Sequence, residues 1–107
     1  MDNTIYKELT YTVRIKGKGE SKEHAVANAL GKIKQMITSQ LNGLIIRIEP
    51  LKAEVIEAVE EVYTEKFFFF FFPRKRSIFK VEMDILVRLF ILDIKKVEFK
   101  KAQIERS

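Results

Sequence analysis

The sequence has no cysteine and no tryptophan, and only one histidine, two prolines and four glycines among its 107 residues. Without cysteine there can be no disulfide framework, thiolate zinc site or cysteine nucleophile. A lone histidine, His24, argues against zinc held by histidines. No apolar run approaches the roughly 20 residues of a transmembrane helix. The first residues, "MDNTIYKELT", lack the basic start and apolar stretch of a signal peptide. The expectation is a cytoplasmic protein with no transmembrane segment. Dinucleotide fingerprints, phosphate loops and RNA-binding signatures of known spacing are missing as well. No catalytic constellation emerges, so a non-enzymatic protein without metal or cofactor is expected.

What is present describes a folded domain. Apolar residues make up 47% and charged residues 33%, a globular mixture and not a disordered one, and the length suits a single α+β domain over residues 1–107. The net charge of +5 is unevenly spread. Residues 1–50 carry eight basic and five acidic side chains, residues 51–72 two and five, and residues 73–107 ten and five. The basic excess gathers at "PRKR" and in the tail "KKVEFKKAQIERS". Such an excess can attract nucleic acid or an anionic surface, although a solvated charged surface is the ordinary reading.

Leu9, Tyr11, Val13 and Ile15 alternate with polar residues, which marks a half-buried strand. "GKGES" breaks the pattern, and Ser21 is a candidate N-cap. Ala25, Val26, Ala29, Leu30, Ile33, Met36, Ile37 and Leu41 then form one apolar stripe on a helix of roughly five turns. Asn42-Gly43 supplies a left-handed stop. Gly31 weakens the helix interior and could allow close contact with a sheet. "LIIRIEP" reads as a short strand ended by Pro50. Phe79, Val81, Met83, Ile85, Val87, Leu89 and Ile91 alternate as a long strand, which needs a partner along most of its length. Residues 55–72 match it in length. A long C-terminal hairpin is therefore preferred, with a second helix over residues 51–66 as the alternative.

A four-residue loop at residues 73–76 would set Phe70 against Phe79, Phe68 against Val81, Glu61 against Arg88, Val59 against Phe90 and Tyr63 against Leu86. That register has one repulsive pair, Glu65 with Asp84, which a bulge would relieve. The resulting architecture is one long amphipathic helix on an antiparallel sheet of three to four strands, in the order β-α-β-β-β. Leu9, Tyr11, Val13, Ile15, Phe68, Phe70, Phe79, Val81, Ile85, Val87 and Leu89 would face the helix. On the opposite face, Phe67, Phe69, Phe71, Val59, Tyr63, Leu86, Phe90 and Leu92 would form an apolar patch, which predicts a homo-oligomer interface. The six-phenylalanine run, Phe67–Phe72, is too short and solitary for a membrane-spanning strand. Its charged and proline flanks act as gatekeepers against aggregation.

The order of strand, Gly-rich turn, "SKEHAVANAL" helix and long antiparallel strands resembles dodecin topology over about residues 5–49. Dodecins stack flavin on an aromatic residue; this chain has no tryptophan to match, so flavin is not carried over. "GKGESKEHAVANAL" together with "YTEKF" and "FFPRKR" resembles a family of small bacterial proteins of unknown function. Members are encoded near predicted membrane proteins and a pyridoxal-phosphate enzyme of amino-sugar-acid metabolism. The resemblance implies an oligomeric accessory protein serving a membrane transport or sugar-acid catabolic system, with a protein partner at a membrane complex. It transfers no catalytic residue.

Four weaker motifs carry potential chemistry. Gly17, Lys18, Gly19, Ser21 and Lys22 lie between strand and helix, where backbone N–H groups and lysines could hold a small anion. A plain turn is the simpler reading. His24 could act as a neutral base but lacks an evident partner. Glu54, Glu57, Glu60, Glu61 and Glu65 form an acidic run that could hold a divalent cation or be ion-paired, with Arg88 expected to neutralise one of them. Phenylalanines beside "PRKR" have the ingredients of a single-stranded nucleic-acid surface. A small-anion, small-ligand or single-stranded nucleic-acid binding module is therefore the alternative function.

Overall fold

A computed structural model describes residues 3–65 and 73–105. Strand β1 (Tyr6–Gly19) leads into α1 (Lys22–Leu30) and α2 (Ile33–Gln40). Two long strands follow, β2 (Leu44–Glu65) and β3 (Arg74–Leu92). A 3-10 turn at Ile94–Lys96 precedes a tail with no regular structure. The sheet is antiparallel in the order β1-β3-β2, so β3 is central and both β1 and β2 are edges. The α+β architecture expected from the apolar periodicities is therefore the one observed.

The helical segment forms where the stripe of threes and fours predicts it. Ser21 caps α1 by accepting a hydrogen bond from the His24 backbone N–H at 3.1 Å. At Gly31 and Lys32 the segment tightens and separates into α1 and α2, a local change from the single helix expected. Gly31 makes no close contact with the sheet: a Cβ there would meet nothing nearer than 3.5 Å. Gly43 takes a φ of +125°, a conformation that favours glycine, immediately before β2.

The strands depart from expectation in two respects. First, β2 does not stop at Pro50. The expected strand at residues 44–50 and the hairpin arm are one strand of 22 residues. Proline is tolerated because β2 is an edge strand and Pro50 adjoins a bulge. Second, the hairpin register is different. Glu65 pairs with Arg74, Tyr63 with Arg76, Glu61 with Ile78 and Val59 with Lys80. Phe79 and Val81 therefore face Glu60 and Ala58, and Phe90 and Leu86 face Arg47 and Lys52. The observed register pairs some charges and opposes others, with Glu57 facing Glu82 and Glu54 facing Asp84. Glu65 meets Arg76 at 3.1 Å and Glu61 meets Lys80 at 2.8 Å, so the repulsive Glu65–Asp84 pair is avoided. Phe67–Phe72, including the pairs expected of Phe68 and Phe70, lie outside the described residues. Irregularities between Ile45/Arg47, Pro50/Lys52 and Val55/Glu57 fit the longer β2 to the 19 residues of β3.

The core lies between the helices and the facing side of β1 and β3. Val13, Ile15, Ala25, Ala29, Ile37, Ile85, Val87 and Leu89 are all buried. Leu9, Tyr11 and Phe79 pack partly buried against them. The Tyr11 hydroxyl donates to Gln40 Oε1, which ties α2 to β1.

Candidate functional site

Gly17 and Gly19 decide where the helices sit. A Cβ on Gly17 would fall 2.2 Å from the Ala25 carbonyl oxygen and 2.4 Å from the Ala29 nitrogen. At Gly19 it would lie 2.8 Å from the Ala25 nitrogen. The two glycines thus let α1 settle onto β1. Two side chains fix it there: Asn28 Nδ2 donates to the Lys18 carbonyl at 2.7 Å, and Lys32 Nζ to the Lys16 carbonyl at 2.6 Å. The helical segment is about 10 Å across and three strands span about 10–14 Å between axes and flanks, so a helix drawn onto one edge leaves the other bare. Here the bare edge is β2.

The consequence is an open groove between α1 and β2, about 370 Å³ in volume and lined by Lys22, Val26, Val55, Ala58, Phe79 and Val81 among others. Val55 and Val62 on β2 are each 62% exposed. Val55 is not legible as part of this surface in the sequence, because the irregularity between Val55 and Glu57 changes the face on which it lies. A bulge of this kind leaves no reliable mark on an alternation pattern.

The sheet's other face carries a ladder of ion pairs. Arg14 holds Asp84 at 2.8 Å through a two-pronged hydrogen bond. Lys16 pairs with Glu82, and Arg88 bridges Glu8 and Glu49, so Arg88 does not neutralise a residue of the acidic run. Arg76 joins Glu65 to Glu20. Hydrogen bonding from Arg14 holds the Asp84 carboxyl below the usual range, and Lys7 does the same for Asp93. At one end of this face Tyr6 and Phe90 lie 6.2 Å apart, with the Arg47 guanidinium 5.5 Å above the Phe90 ring.

Of the expected interface residues, Leu86, Phe90 and Leu92 are half-buried and lie on this outer face, as register also places Val59 and Tyr63. Leu86, Phe90 and Leu92 stand near the Tyr6 end, and the charged rows of Arg14 and Lys16 separate them from Val59 and Tyr63. Phe67, Phe69 and Phe71 lie outside the described residues. Of the expected anion residues, Gly17 is buried beneath α1, Ser21 caps the helix, and Lys18 and Lys22 are exposed. His24 is exposed.

Among the described residues, no group of three or more His, Cys, Asp or Glu side chains is placed to hold a metal ion. None of the described helices is long and apolar enough to cross a membrane. Comparison with curated proteins and with solved structures returns no match. A family model described as "Domain of unknown function (DUF4312)" matches residues 9–92, from the first apolar residue of the β1 alternation to the last residue of β3. The chain belongs to this family, DUF4312, whose function is unknown.

Proposed function

We propose that the chain is a non-enzymatic subunit of a homo-oligomeric assembly. The observation that carries this reading is the uncovered apolar side of β2. Val55 and Val62, which share the helix-side face of this edge strand, are each 62% exposed. Fully burying one such side chain contributes about 1.5–3 kcal/mol, so their exposure forgoes stabilisation that a second subunit would recover. The end of the outer face formed by Tyr6, Leu44, Phe90 and Leu92 offers a further contact area; Tyr6 is 47% and Leu44 56% exposed. Service to a membrane transport or sugar-acid catabolic system is part of the proposal and is supported by the sequence resemblance alone.

The experiment is solution mass by light scattering at micromolar concentration. An integral multiple of the 12.6 kDa chain mass is expected. A strictly monomeric mass overturns the proposal.

A further inference from the structure

Two parts of the chain carry opposite charge and uncovered apolar groups. The first is β2 beyond its last irregularity. From Glu57 to Glu65 it holds Glu57, Glu60, Glu61 and Glu65 and no basic residue. Glu57 faces Glu82 across the strands, a like-charge pair, and forms no ion pair among the described residues. The second is the tail. Residues 97–105 belong to no helix or strand. Phe99 is 82% and Ile104 79% exposed, the highest of the described large apolar residues. Within residues 97–104, Lys100 and Lys101 outnumber Glu98, and Lys95 and Lys96 precede the segment.

We propose that residues 97–104 of a second copy add as a strand to the outer edge of β2 at residues 57–65. Lys100 and Lys101 then meet the β2 glutamates, and Phe99 covers apolar surface of that strand. Strand addition satisfies the outward backbone groups of an edge and lets alternate side chains supply specificity. The inference rests on the oligomeric reading above.

Other occupants fit less well. The chain's own tail is too short. From Val81, beside Ala58, to Leu92 is a strand of about 36 Å at 3.3 Å per residue. The seven residues from Leu92 to Phe99 reach at most about 25 Å. A second β2 would set glutamates against glutamates. The β1 edge is engaged at its helix-proximal end, where the Lys16 and Lys18 carbonyls already accept from Lys32 and Asn28.

The test uses Glu57→Lys in the full chain, read by sedimentation over a concentration series and by thermal unfolding. This substitution turns the Glu57–Glu82 repulsion into attraction, so the protomer folds at least as well as the wild type. Association is expected to weaken about tenfold or more, and Lys100→Glu with Lys101→Glu is expected to weaken it similarly. Combining the three substitutions should restore most of the loss. Phe99→Asp should also weaken association. Unchanged association in Glu57→Lys and in Phe99→Asp, with a wild type that is oligomeric, overturns tail docking and leaves the oligomeric reading standing. Failure of the combined variant to recover overturns the charge pairing on which the docking rests. A monomeric wild type overturns both readings.

Discussion

At Gly17 the backbone of α1 passes so close to β1 that only a hydrogen fits. The atoms a Cβ would strike, the Ala25 carbonyl and the Ala29 nitrogen, are helix backbone and cannot swing aside. Gly17→Ala is therefore expected to destabilise the fold by about 3 kcal/mol, at the upper end of overpacking costs, as measured by urea unfolding. Gly31→Ala is the control. Gly31 has φ −61°, and a Cβ there would make only ordinary contacts at 3.5 Å and beyond, so alanine should stabilise by up to about 1 kcal/mol. A sequence shows that glycine is present but not what stands opposite it. "GKG" thus reads as a plain turn with a small-anion site as the weaker alternative, and the sequence points to Gly31 for the close helix contact. Alternation was more legible. Val13, Ile15, Val81, Ile85, Val87 and Leu89 are buried as their spacing predicts, because successive side chains on a strand must point to opposite faces.

The strands are joined by ion pairs across the outer face as well as by apolar packing on the inner one. Asp84 stands between Arg14 on β1 and Glu54 on β2, and its carboxyl is depressed chiefly by the Arg14 hydrogen bonds. A carboxyl whose pKa is lower in the folded state adds stability above its unfolded pKa, near 3.9, and that stability is lost as pH falls through the folded value. Unfolding midpoints of the wild type should therefore fall below about pH 4. Asp84→Asn should be less stable than the wild type at pH 7, and the gap should narrow as the pH is lowered; a constant gap from pH 7 to pH 2 would contradict this. Added salt should shrink the effect, since Arg14 is exposed. The same ladder explains why the hairpin could be foreseen and its register could not. Length and alternation require β3 to have a partner, but they do not fix the offset. The observed offset brings Glu65 to Arg76 and Glu61 to Lys80 but also Glu57 to Glu82, and it includes irregularities in β2 that carry no sequence signature.

For the whole molecule, shape is the informative quantity. A compact chain of this length has a radius of gyration of about 13 Å. The value here is 22.5 Å, with extents of 76 × 44 × 16 Å. Long strands set these dimensions: β3 alone runs 19 residues, about 60 Å, while the helical segment covers only part of one face. Beyond Phe79, β3 pairs only with β2, through Ile78 to Arg74, and a two-stranded ribbon is marginal by itself. A protomer of this form gains stability from association, and linkage makes that gain measurable. The thermal midpoint of the wild type should rise with protein concentration. Val62→Asp places a charge on an exposed site of β2, away from the buried core, so the intrinsic stability of the protomer should change by less than about 0.5 kcal/mol. In the associated state it would bury that charge. The variant's midpoint should therefore lie below the wild type at high concentration and converge on it at high dilution. Parallel curves at all concentrations would mean that Val62 acts within the protomer and that the β2 edge is not where the subunits meet.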